Sequence, residues 1–89
     1  MKEKSKTDPR IEDSKERIRF LTLYNDDIHS FDYVIESLMD ACMMDTIQAE
    51  QCTYITHYKG SCRVRKGSFS DLKQMKDRLT ERELIARIE

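Results

Sequence analysis

The feature that most constrains this chain is an abrupt change of hydrophobic period on either side of a short acidic turn. Ile18, Phe20, Leu21, Leu23 and Tyr24 make a compact apolar run of residue types that suit an extended, half-buried backbone. Asn25-Asp26-Asp27 ends it, because short polar side chains of this kind bond nearby backbone amides and favour a bend. From Phe31 onward the apolar residues Phe31, Val34, Ile35, Leu38 and Cys42 recur at i, i+3, i+4, i+7 and i+11, one stripe along a helix. Ser30 is placed to cap that helix, and Asp32 complements the dipole of its first turn. A strand feeding directly into an amphipathic helix must bury one face of each against the other.

The remaining elements follow from local signals. Asp45-Thr46-Ile47-Gln48 has the form of a capping box and opens a second helix over about residues 46–58. Its inward face is expected to carry Ala49, Cys52, Thr53, Ile55 and Thr56, and Gly60 ends it as a C-terminal cap would. Cys62, Val64 and Arg65 alternate in a strand closed by Gly67. Ser68 or Ser70 starts a third helix, with Leu72, Met75 and Leu79 on one face. Leu84-Ile85-Ala86-Arg87-Ile88 reads as a closing strand. The expected fold is α+β in βααβαβ order, a three-stranded antiparallel or mixed sheet packed against three helices over residues 18–89. Residues 1–17 hold only Met1 and Ile11 as clear hydrophobes, too few to offset the entropy of ordering. They are expected to form a flexible extension, with room for a short helix at 11–17.

Composition narrows the function. Sixteen basic residues against 17 acidic leave a net charge of −1, without the basic excess that neutralising phosphates requires, so no nucleic-acid partner is expected. No apolar run approaches the ~20 residues that span a bilayer, and the N-terminus lacks the apolar stretch of a secretory signal, so a cytoplasmic location without membrane contact is expected. Cys42, Cys52 and Cys62 are odd in number and contain no C-x-x-C pair, which points to reduced packing residues rather than disulfides or a thiolate metal site. Neither a nucleophile elbow nor a glycine-rich phosphate loop is present, Gly60 and Gly67 being the only glycines, and no catalysis is expected.

Two polar elements stand out. Asn25-Asp26-Asp27-Ile28-His29 lies where the first strand gives way to the first helix, and turn chemistry alone accounts for it. His57 sits in His57-Tyr58-Lys59-Gly60 at the end of the second helix, where the dipole favours a charged imidazole. Joined, they carry a resemblance. The stretch from Tyr24 to Ile35, with its Asn-Asp-Asp start and aromatic-aliphatic helix, followed by Ala49 and then His57-Tyr58-x-Gly60, resembles the ClpS adaptors of the Clp protease. The likeness runs without a gap from about Leu23 to Gly60 and more loosely to Glu89.

That resemblance implies a pocket for the first residue of an N-degron, the N-terminal residue that marks a protein for degradation. Asn25, Asp27 and His57, with Asp26 beside them, match the positions that bind the ligand's α-amino group. An α-ammonium is a cation with three donors, so several convergent acceptors, at least one anionic, suit it. Phe31, Val34, Thr53, Thr56 and Leu84 match the pocket-lining positions, and each is equally explicable as core. The resemblance further implies a Clp-type unfoldase partner, ClpA or ClpC, docked by its N-terminal domain against Asp71 and Lys76 of the third helix. It implies a preference for N-terminal Phe, Leu, Tyr or Trp. A monomer is the expectation for a charged domain this small, and no cofactor is expected. The chain departs from the family pattern where Phe31 stands for a methionine gatekeeper, Thr53 for another methionine, and His29-Ser30 for Thr-Pro. Two alternatives remain: a metal site using Asp26, Asp27, His29 and His57, and a scaffold domain of the same fold, related to ribosomal stalk C-terminal domains, with a non-binding pocket.

Overall fold

The computed structural model describes residues 17–89, so the expected N-terminal extension lies, but for Arg17, outside the described residues. Six elements follow in the order β1 (Arg19–Tyr24), α1 (Phe31–Cys42), α2 (Thr46–Lys59), β2 (Ser61–Gly67), α3 (Phe69–Glu81) and β3 (Ile85–Ile88). The strands form one antiparallel sheet in the order β2-β1-β3. β1, the most buried strand, takes the centre and buries Leu21 and Leu23 completely beneath the helices. Of the helical stripe of α1, Leu38 and Cys42 end in the same core with Ala41, Leu72 and Leu79, Val34 and Ile35 pack against it half-buried, and Phe31 at the helix start stays exposed. Full burial of a leucine side chain contributes about 1.5–3 kcal/mol, so this small cluster carries much of the domain's stability.

Every helix begins where its cap was expected. The Ser30 hydroxyl accepts from the Tyr33 N–H at 3.1 Å, the Asp45 carboxylate accepts from the Gln48 N–H at 2.7 Å, and the Ser68 hydroxyl accepts from the Asp71 N–H at 3.3 Å. Each satisfies one of the donors that a helix start leaves free. Gly60 closes α2 in the left-handed region at φ 94°, donating its N–H to the Thr56 carbonyl at 2.9 Å.

Three expectations need correction. Ile55 does not face inward: it is exposed on the outer side of α2, while Ala49, Cys52, Thr53 and Thr56 are buried. α2 packs against helix α1 and strand β2, and the residues it buries there form a narrow stripe. β2 does not alternate simply, because Leu21 pairs with Arg65 and Thr22 with Arg63, leaving Val64 as the extra residue of a bulge. The last strand starts at Ile85, with Leu84 buried just before it. There the chain turns through Glu83 at φ 67°, and the Leu84 N–H bonds back to the Leu79 carbonyl at 3.0 Å.

This last turn is pinned to α1. The Tyr33 hydroxyl donates to the Arg82 carbonyl at 3.0 Å, and the Arg82 guanidinium reaches Asp40 at 2.7 Å and Ser37 at 3.3 Å. The clamp holds Leu84 against the N-terminal half of α1.

Candidate functional site

The site is assembled where the β1–β2 ladder ends, with Tyr24 opposite Ser61. The Asn25 N–H, immediately after β1, donates to the Gly60 carbonyl, immediately after α2, at 2.9 Å. Residues separated by more than thirty positions in sequence are thereby joined: the acidic turn and the last turn of α2 become the two walls of one cavity. The cavity has a volume of about 250 Å³. All nine residues that the sequence singled out for amine and side-chain binding line it: Asn25, Asp26, Asp27, Phe31, Val34, Thr53, Thr56, His57 and Leu84. Sequence reasoning missed Leu23, Tyr24 and Ser30 as lining residues and gave His29 only a metal-ligand role. The β1–β2 pairing that sets the first strand beside the end of α2 has no local signature. Asp71 and Lys76 lie on α3, outside the cavity, about 140° apart around the helix, and so do not share a narrow face.

The polar end is acidic. Two carboxylates, two imidazoles and an amide line the cavity, and among the described residues no lysine or arginine does. His57 lies in the last turn of α2, where the helix dipole adds partial negative charge. Among the described residues, the side chains of Asn25, Asp27 and His57 make no hydrogen bond. Asp26 is different. Its carboxylate accepts from the Ile28 N–H at 2.8 Å and the His29 N–H at 2.9 Å, and lies 3.0 Å from the His29 ring. Burial pushes the Asp26 carboxyl up, the largest single influence, but the His29 backbone N–H, the His29 ring and the Ile28 N–H together outweigh it, and the net shift is downward. Asp26 thus builds the turn, while Asn25 and Asp27 present free acceptors from it. His29 also stacks on Tyr33, with ring centroids 4.8 Å apart, which fixes the turn to α1.

The deep end is apolar. Val34, Leu84 and Leu23 contribute aliphatic surface, and the two buried threonines are less polar than their formulae suggest. The Thr53 hydroxyl donates to the Ala49 carbonyl at 2.8 Å, and that of Thr56 to the Cys52 carbonyl at 2.7 Å. With both hydroxyl protons committed to the helix itself, the wall offers a cavity occupant no hydroxyl donor. Phe31 stands at the mouth, edge-on to the His57 ring at 5.1 Å. The metal arrangement is not formed: among the described residues no three His, Cys, Asp or Glu side chains come together as a ligand set, and Asp26 and His29 pair with each other instead.

The three cysteines behave as packing residues. Cys42 and Cys52 are buried and Cys62 half-buried, all with free thiols. Burial pushes the Cys42 thiol up to about 11 and is the main cause of the rise of Cys52 to about 12.

The family model described as "ATP-dependent Clp protease adaptor protein ClpS" matches residues 15–85, most of the chain. The chain belongs to the ClpS family. A solved structure of Agrobacterium tumefaciens ClpS2 bound to L-phenylalaninamide shares this fold, with a TM-score of 0.69 at 21% identity, covering 85% of this chain and 96% of that one. No curated protein matches the sequence. ClpS proteins are thus the family in which the βααβαβ order, the three-stranded sheet and its three helices find their counterpart.

Proposed function

We propose that this ClpS-family protein captures a free protein N-terminus, holding the α-ammonium with Asn25, Asp27 and His57 and the first side chain between Val34, Thr53, Thr56 and Leu84. The observation that carries this reading is the polarity of a single cavity: unbonded acceptors and net negative charge at one end, an apolar floor at the other. Its volume of about 250 Å³ is below the ~300–1,000 Å³ of drug-sized sites and suits one large side chain. The related ClpS2 was solved with L-phenylalaninamide, a molecule with a free α-amine, a benzyl side chain and a carboxamide. A neutral His57 accepts through a ring nitrogen, Asn25 through its amide oxygen, and Asp27 supplies the anion. Asp26 serves the same group indirectly, by holding the turn. Bulky hydrophobic first residues, Phe, Leu, Tyr or Trp, fit the floor. Phe31 at the mouth makes the entrance bulkier than a methionine would.

Capture alone requires no chemistry, and the protein is read as an adaptor without catalytic activity that passes its cargo to a Clp AAA+ unfoldase in the cytoplasm. Docking to the N-terminal domain of a ClpA- or ClpC-type partner is assigned to the α3 side, with Asp71 and Lys76 as separate contacts, and residues 1–17 serve as an extension for the unfoldase to engage.

A titration with a labelled peptide starting in Phe, beside its N-acetylated twin, tests the reading. Acetylation removes the ammonium and should abolish binding. Equal affinity of the two peptides would show that the acceptors hold no amine.

A further inference from the structure

A second feature of α2 is unexplained by the pocket. Tyr54 and Tyr58 are more than half exposed, an unusual place for two aromatic rings, and they are not scattered. The Tyr54 ring lies 4.4 Å from that of Tyr58 and edge-on to Phe31 at 6.3 Å, while Tyr58 also meets His57 at 5.1 Å. Phe31 and His57 stand at the mouth of the pocket, so the aromatic surface begins where the pocket ends. Beyond Tyr54 it opens into a shallow, predominantly apolar hollow of about 340 Å³, lined by Glu50, Gln51, Tyr54 and Ile55. The outward Ile55, misplaced by the helical periodicity, belongs to this hollow.

We propose that Tyr54 and the hollow beside it form a second subsite, which receives a large apolar or aromatic side chain at the third residue of the captured chain. The proposal rests on the reading of the pocket as an N-terminus site. An extended peptide advances ~3.3 Å per residue and turns successive side chains to opposite faces. With the first side chain sunk in the pocket, the second points to solvent and the third returns to the protein ~6.6 Å farther on. Tyr54, in edge contact with Phe31 at the mouth with ring centroids 6.3 Å apart, puts the hollow directly beside the pocket and so within reach of a step of that size. The occupant is therefore the continuation of a ligand already anchored next door. The chemistry selects among third residues. Tyr54 and Ile55 offer apolar contact, and Glu50 at the border repels a carboxylate. Leu, Phe or Trp is favoured, Ala is neutral, and Asp is disfavoured.

Fluorescence anisotropy with peptides that start in Phe-Ser and carry Trp, Leu, Ala or Asp third provides the test, each with an N-acetylated twin. Covering about half of a leucine-sized side chain should make Trp or Leu bind about five- to tenfold tighter than Ala. The Trp/Ala ratio should fall to near one in Tyr54→Ala and survive in Tyr54→Phe, which keeps the ring. If free-amine peptides bind, acetylated ones do not, and the third residue has no effect, the subsite is overturned while the pocket reading stands. A third-residue preference unchanged in Tyr54→Ala overturns it equally. If no free peptide binds, or acetylated twins bind as well, the pocket reading fails and the subsite with it.

Discussion

Replacing Gly60 with alanine should destabilise the domain and loosen the site together. Gly60 sits at φ 94°, in the left-handed region where a Cβ crowds its own carbonyl at a cost of about 1–2 kcal/mol. Beyond its own backbone and its two chain neighbours, a Cβ built there meets nothing within 4 Å, so the penalty is local to the backbone and no tertiary clash adds to it. For a domain of this size, a loss of about 1–2 kcal/mol lowers the melting midpoint by about 5–15 °C. Asn tolerates the left-handed region better than Ala, so Gly60→Asn should lose less than half as much. Thermal unfolding followed by circular dichroism reads these shifts. Because the Gly60 carbonyl holds the Asn25 N–H, any relaxation of the cap also moves the acidic turn, and affinity for a free-amine peptide should fall in Gly60→Ala. An alanine variant as stable as the parent, or one less stable than Gly60→Asn by nothing measurable, would refute the backbone argument. Undiminished affinity in a clearly destabilised Gly60→Ala would refute the link between cap and site.

Other perturbations separate the roles of neighbouring groups. His57→Ala and Asp27→Ala remove exposed side chains, so each should leave the fold intact while weakening peptide binding at least tenfold, about 1.4 kcal/mol or more. Asp26→Asn should act on stability: the carboxyl is held below its ordinary value of 3.8, so its contribution is present above that pH and lost as pH falls. Acid unfolding should accordingly be less steep in the variant. The raised thiols of Cys42 and Cys52 have the opposite sign. The folded state disfavours their thiolates, so stability should hold below the ordinary value of 9.0 and decline as pH rises from there towards about 11–12, with Cys62 modified by thiol reagents first at neutral pH. Leu38→Ala, at a fully buried position, should cost about 2–5 kcal/mol in urea unfolding.

What could be read in advance divides along the range of the interactions. Ser30, Asp45, Gly60 and Ser68 were legible as helix boundaries because a cap is satisfied within three or four residues of its own position. The stripe from Phe31 to Cys42 was legible because a helix repeats its face locally. The bulge at Val64 was not, since it exists only in the pairing of β2 with β1, and two sequence-distant strands leave no trace of their register in either. Ile55 misled for a different reason. α2 carries apolar residues on both sides, Cys52 and Ala49 facing the core and Ile47, Tyr54 and Tyr58 facing out, so periodicity alone could not orient it. At the site, Asn25, Asp27 and His57 were identified through the family resemblance. The pairing of β1 with β2, continued by the bond from Asn25 to Gly60, brings their walls together. The division of labour between Asp26 and Asp27 was hidden, because adjacent carboxylates are chemically identical until the backbone of the turn engages one and frees the other.

The most direct test is an NMR titration of the intact protein with phenylalanine amide and with N-acetylphenylalanine amide, following the His57 ring, the Asn25 side-chain amide and the methyl groups of Val34 and Leu84. With the free amine, all four should shift together and saturate at one ligand per chain, and with the acetylated compound the His57 and Asn25 signals should stay where they were. Shifts of the methyl groups alone, identical for both ligands, would mean that the cavity accepts a phenyl ring without recognising a chain terminus.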